Sequence, residues 1–319
     1  MSTRLRGVLA PVLTPFHRNL DADVDAFIAH CRWLIDQRAN LAIFGTNSEA
    51  ASLAVDERIA LTDAILAAGV PASRLMPGTG ACSIRDAVTL TRHAVRNGAA
   101  GVLMLPPFYF KGVSDDGLFA WYSDVIEEVG DERLAVYLYH IPQMTQVPIT
   151  LALIERLLKR YPRVIAGAKD SSGDWSNSKA MIDAFATGGF DVFPASESLL
   201  SKALAIGGAG CISATVNVNP AGIRAVYDGW NTAQGTELQS RADAIRTIFQ
   251  ARPMIPAMKC VVAEFSGSAD WRVVRPPLLA LDDASAATLL NQLRAVGFDM
   301  RGYPVVDGEQ HAARERALT

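Results

Sequence analysis

The sequence predicts an α/β fold, a (β/α)8 TIM barrel with a C-terminal helical appendage, and three observations carry that expectation. Short apolar runs rich in Val, Ile, Leu and Ala recur through the first two-thirds of the chain, most of them closed by Gly, Pro, Ser or Thr. Segments with a 3.6-residue apolar period fill the gaps, so the runs read as parallel strands buried on both faces and joined by right-handed crossovers. The chain has 319 residues, 50% of them apolar, which suits one large domain with or without an addition.

The runs fall at 7–12, 40–44, 74–76, 101–105, 134–138, 164–168, 191–193 and 209–212. Eight is the strand count of this barrel. A doubly wound sheet is the runner-up, but it wants a glycine fingerprint after its first strand, and Thr14-Pro15-Phe16 stands there instead. Between the runs, Val24, Phe27, Ile28, Cys31, Leu34 and Ile35 share one helical face, and 52–68 and 83–97 repeat the pattern. Beyond residue 219 the strand signal stops and helices are expected at 222–230, 237–250, 256–264 and 285–296. The expected division is therefore 1–219, a barrel carrying the active site, and 220–319, a helical region whose last ten or so residues, from Gly308, fray.

Thirty Lys and Arg against 33 Asp and Glu give a net charge of -3 with no like-charged block, which argues against nucleic acid or an anionic membrane as partner. No run approaches the ~20 apolar residues of a membrane span. Cys31, Cys82, Cys211 and Cys260 form no CxxC pair and the five histidines show no ligand spacing, so neither a zinc site nor a disulfide framework is expected. A small-molecule substrate and a cytoplasmic location are the expectation.

In such a barrel the chemistry sits at the carboxyl ends of the strands. These ends offer Thr46-Asn47-Ser48-Glu49, Tyr109, Tyr139, Lys169-Asp170, Ser196-Glu197 and Ser213. Of only six lysines, Lys169 alone closes an apolar run. Desolvation disfavours an ammonium, and a neutral amine can attack a ketone to form a Schiff base. A strand-end lysine paired with Asp170 is the plain alternative, and spacing does not separate the two. The other five lysines lie in helical or loop settings and read as ordinary. Tyr139 ends the preceding run, where a phenol can shuttle protons or simply fill the core. The stretch 45–49 lies between strand and helix, so its N–H groups suit a carboxylate, as they would also suit plain helix capping.

Taken together and in order, these residues resemble the dihydrodipicolinate synthase / N-acetylneuraminate lyase family of Schiff-base-forming enzymes. The resemblance rests on Thr14-Pro15-Phe16, Gly45-Thr46-Asn47-Ser48-Glu49, Pro107-Phe108-Tyr109, Tyr139-His140-Ile141-Pro142, Gly167-Ala168-Lys169-Asp170, the stretch from Gly207 to Ser213, and Arg275-Pro276-Pro277-Leu278. It implies that Lys169 forms the imine, with no cofactor or metal. It implies Tyr139 as proton relay, Thr46 as its hydroxyl partner, and the amides of Thr46 and Asn47 as the grip on a 2-oxo acid carboxylate. Ser48, Tyr109 and Ile212 join the substrate site on the same ground, Tyr109 reaching toward a neighbour's site in a homotetramer built as a dimer of dimers.

Two departures shape the functional expectation. The synthase's carboxylate-clamping arginine is replaced by Met144, and an apolar side chain makes no bidentate clamp. Asn47 stands where a second loop hydroxyl is usual, and an amide does not relay protons as a hydroxyl does. The expected activity is a Schiff-base-forming lyase, aldolase or dehydratase, acting on a pyruvate-like or 2-oxo-3-deoxy sugar acid, with Ser196, Glu197 and Ser213 facing a hydroxylated tail. The alternatives are 4-hydroxy-tetrahydrodipicolinate synthase, condensing pyruvate with aspartate semialdehyde, and a sugar-acid-binding protein without turnover.

Overall fold

Strand β1 (Gly7–Ala10) runs parallel between β2 (Asn40–Leu41) and a strand contributed some two hundred residues later, β7 (Gly210–Ile212). The computed structural model describes residues 4–305. Its remaining strands, β3 (Val102–Met104), β4 (Val136–His140), β5 (Ile165–Asp170) and β6 (Asp191–Pro194), pair in parallel in that order. The two sets join on both sides. The Ala209 N–H donates to the Val192 carbonyl at 3.0 Å, and the segment 75–78 bridges β2 to β3. The sheet is thus closed, a TIM barrel.

The run expected as the third strand is one of these bridges and not a regular strand. Leu75 bridges Leu41 and Gly78 bridges Leu103, while the N–H groups of Met76 and Gly78 donate to Leu41 and Ile43. Pro77 has no N–H to give and Arg74 is taken into a 3-10 turn, Ala72–Arg74, so the ladder is interrupted on both sides. The second strand is also shorter than expected, because Phe44 turns left-handed (φ 60°). There its carbonyl passes so close to Gly78 that a Cβ on Gly78 would lie 2.1 Å from it.

Alternation along the strands explains why the runs read as continuously apolar. Leu9, Leu103, Tyr137, Tyr139, Phe193 and Ile212 form a cluster inside the barrel, while Val8, Val102, Met104, Val136, Leu138, Val192 and Cys211 belong to clusters shared with the surrounding helices. Each large apolar side chain so buried is worth about 1.5–3 kcal/mol. The first and last strands meet closely: Gly210, at φ 149°, pairs with Gly7, and a Cβ on Gly210 would lie 1.8 Å from the Gly7 carbonyl oxygen.

Helices begin where short polar side chains can take their first N–H groups. Asp23 caps Val24–Asp36, Ser83 caps Ile84–Arg96, Ser114 caps Asp115–Val129 and Thr150 caps Leu151–Arg160. The expected helix at 52–68 begins later, at Val55–Ala67, after a 3-10 turn, Ala50–Ser52. In the C-terminal region the helices are Pro220–Gly229, Gly235–Gln250, Met254–Ser266 and Asp283–Ala295. Met254–Ser266 buries nine residues, Lys259 among them. The fraying expected from Gly308 onward falls outside the described residues.

Candidate active site

Lys169 and Asp170 end β5, and Tyr139 and His140 end β4; the register pairs Tyr139 with Lys169 and His140 with Asp170. Both Lys169 and Tyr139 are 2% exposed. The Lys169 Nζ donates to the Tyr139 hydroxyl at 3.1 Å and lies 4.2 Å from the centre of its ring. The expected alternative, a lysine paired with Asp170, is not how these groups bond: Asp170 accepts from Ser178 Oγ at 2.6 Å and from the Ser172 N–H at 2.9 Å.

Thr46 reaches the same phenol from the loop after β2, with Oγ1 3.1 Å from the Tyr139 hydroxyl. Burial pushes the Tyr139 phenol up. The Lys169 charge and hydrogen bonds with Thr46, Lys169 and Ser171 pull it down by more, leaving it below the ordinary tyrosine value. A phenol so placed exchanges a proton more readily near neutrality.

Residues 46–48 form one 3-10 turn, Thr46–Ser48. Ser48 is fully buried and committed to the loop itself: its Oγ accepts from the Gly45 N–H at 3.2 Å and its carbonyl accepts from Thr14 Oγ1 at 2.8 Å. Asn47 is half-buried. The N–H groups of Ser48, Glu49 and Ala50 are taken by Gly45 and Thr46 carbonyls, whereas the first N–H groups of such a turn, here Thr46 and Asn47, are not used by the turn itself. Ile212 is fully buried, in the same apolar cluster inside the barrel as Tyr139. Tyr109 is 77% exposed, its N–H directed at Cys82 Sγ.

Glu197 and Ser213 come together, but with their polar atoms already bonded. The fully buried Glu197 carboxylate accepts from Ser213, Thr215 and Arg246, the last at 2.7 Å. Ser196 caps the turn Glu197–Leu199. Arg246 lies on the helix Gly235–Gln250, away from any strand end, so a survey of strand ends passes over it. His140 is buried with Nδ1 accepting from the Ile149 N–H at 3.0 Å, and burial lowers its pKa, which gives it a structural place.

A cleft of about 580 Å³ opens beside Thr46 and Tyr139, lined also by Glu49, Leu105, Ile141, Met144 and Leu278. Met144 itself is 63% exposed. Among the described residues no group of three or more His, Cys, Asp or Glu side chains could hold a metal ion, and no helix is long and apolar enough to cross a membrane.

The sequence survey passed over a second buried lysine. Lys259 and Glu49 have fully buried side chains and form an ion pair between the helix Met254–Ser266 and the loop after β2. Helical periodicity gives no sign of it, because its partner lies 210 residues earlier.

A closed β/α barrel whose mouth holds a buried lysine against a tyrosine and a threonine defines a class, the Schiff-base-forming lyases. The chain belongs to the dihydrodipicolinate synthetase family, whose model matches residues 4–296. Members work through a lysine imine and need no added cofactor. An uncharacterized DapA-like lyase of Chloroflexus aurantiacus is 34% identical over 290 residues, 89% of this chain and 94% of that protein. Dihydrodipicolinate synthase of Agrobacterium tumefaciens superposes with a TM-score of 0.84 at 32% identity, over 92% of this chain and 99% of that one. YagE of Escherichia coli, solved in complex with pyruvate, gives 0.84 at 26% identity, over 93% and 100%.

Proposed function

We propose that Lys169 condenses with the C2 carbonyl of a pyruvate-like or 2-oxo-3-deoxy sugar acid, losing water to form an imine whose protonated form draws electrons from C3. In the cleavage direction Tyr139 takes the proton of the C4 hydroxyl, the C3–C4 bond breaks into the iminium, and an aldehyde leaves a pyruvate enamine. The enamine gains a proton at C3, and hydrolysis releases pyruvate and Lys169. In the dehydration direction Tyr139 takes a C3 proton to give the enamine and passes it to the C4 hydroxyl, which the enamine expels as water. The observation that carries this reading is the Lys169–Tyr139–Thr46 line, both contacts 3.1 Å. Thr46 holds the phenol, and the amides of Thr46 and Asn47 take the substrate carboxylate.

Borohydride reduction in the presence of pyruvate, read by intact mass, tests it. The expected adduct appears on the wild type and disappears in Lys169→Ala; no adduct, or one that survives the substitution, refutes the imine. A panel of 2-oxo-3-deoxy acids, followed for pyruvate and for loss of water, then separates aldolase from dehydratase. Likeness to the Agrobacterium synthase favours a second reading, condensation with aspartate semialdehyde. Met144 opposes it, and absence of turnover with that pair while the adduct still forms would remove it. A binding protein without turnover would hold ligand and give no adduct.

The same reading divides the chain after residue 219 into a barrel and a helical region, in a cytoplasmic homotetramer. The four free cysteines and the exposed Tyr109 and Phe110 support these last two points. Light scattering of the purified chain checks the assembly.

A further inference from the structure

We propose that the buried Glu49–Lys259 pair is a positioning device: from the C-terminal helical region it sets the loop that takes the substrate carboxylate and holds Thr46 against Tyr139. The inference rests on the proposed function for what the loop binds, and on geometry for how the loop is held.

Glu49 is the pivot of that loop. It closes the turn Thr46–Ser48, opens the turn Ala50–Ser52, and sits between them in a left-handed conformation, φ 55°. A non-glycine residue keeps such a conformation when its surroundings enforce it. Here the enforcement comes through the carboxylate. One oxygen accepts from Lys259 Nζ and the other from the Arg275 N–H at 3.0 Å, while the Glu49 N–H donates to the Thr46 carbonyl at 3.1 Å. A continuous chain of contacts therefore runs from Lys259 through Glu49 and Thr46 to Tyr139 and Lys169.

Lys259 is equally fixed. It donates to the Val273 carbonyl at 2.8 Å and lies 4.4 Å from the centre of the Phe16 ring. Burying two charges is costly, and apolar residues of similar size often serve stability as well or better. A pair retained at full burial on the very residue that shapes the loop points to placement and not to stability alone. Burial lowers the Lys259 ammonium to about 8 against the opposing pull of Glu49.

The test uses the full chain with Lys259→Met and, as a milder change that keeps the shape and the acceptor for Arg275, Glu49→Gln. Each is assayed well below its own melting temperature for the pyruvate concentration that half-saturates borohydride trapping, for the saturating rate, and for amide exchange at 45–50. Expected for Lys259→Met is a rise of about tenfold or more in half-saturating pyruvate, with a saturating rate lowered by no more than the about tenfold that loss of the Thr46–Tyr139 bond brings, and for Glu49→Gln a smaller rise of the same kind. Half-saturation within about twofold of wild type in the folded variants, with only a lower melting temperature, would overturn the proposal. If Lys259→Met does not fold, Glu49→Gln decides. If the wild type itself gives no adduct, the proposed function fails, and exchange decides the rest: faster exchange confined to 45–50 supports the pair's role, and unchanged exchange there ends it.

Discussion

Tyr139 and Lys169 are register partners on adjacent parallel strands, and the ammonium of one donates to the phenol of the other at 3.1 Å. Because both are carried by the sheet, their separation is set by strand spacing and not by a mobile loop. The Lys169 nitrogen and the Tyr139 hydroxyl are thus held a fixed distance apart before any ligand arrives.

Removing either member separates their roles. Lys169→Ala should abolish the reducible pyruvate adduct. Tyr139→Phe should still form an adduct but turn over about 10²–10⁴-fold more slowly, the usual contribution of a placed acid–base group. Single-turnover kinetics with trapping checks both, and full activity in Tyr139→Phe would remove it from the mechanism.

Thr46→Val keeps the shape of the side chain and deletes the bond to Tyr139. That bond lowers the phenol's pKa, so the rate limb that reports Tyr139 ionisation should move to higher pH, and kcat at neutral pH should fall about tenfold, near 1.4 kcal/mol. A pH–rate profile of the two proteins reads the shift.

His30 should give the fold an acid-sensitive step. It is fully buried between Tyr303 and Asn217, and burial lowers its pKa from 6.5 to about 4 against the bond to Asn217. The unfolded chain therefore binds this proton first, so the contribution is complete above about pH 6.5 and is lost as pH falls through 4. Its size is about 3 kcal/mol. Urea midpoints from pH 7 to pH 4 should fall less steeply in His30→Asn than in the wild type.

Gly210→Ala tests barrel closure. The added methyl would overlap the Gly7 carbonyl and requires a backbone angle that L residues avoid. The expected loss is about 4 kcal/mol or more, seen as a large drop in melting temperature or as insoluble protein.

Much of the fold was legible in the sequence because barrel strands are apolar on both faces; the strand ends made Lys169 and Tyr139 candidates, and the family resemblance, not the spacing, set them above their plain readings. What was hidden involved partners distant in the chain or a broken ladder. Pro77 turns the third run into bridges, since a run without one N–H cannot complete its pairing. Lys259 reads as a helical lysine until the fold brings Glu49 to it. Glu197 reads as a group open to substrate until Arg246, from a helix beyond the barrel, occupies it. Composition and period report local structure, and these contacts are long-range.

The meeting of Gly7 with Gly210 has a consequence for biosynthesis. β1 leaves the ribosome before the other strands, wholly apolar, yet the neighbour that completes its second edge is made some two hundred residues later. Throughout that interval a nascent chain carries an open strand edge able to pair with any other. Slowing translation before residues 210–212 have cleared the ribosome should therefore favour aggregation, while delay after they emerge should be tolerated, and a chaperone that shields strand β1 would protect this protein most during the first of these intervals.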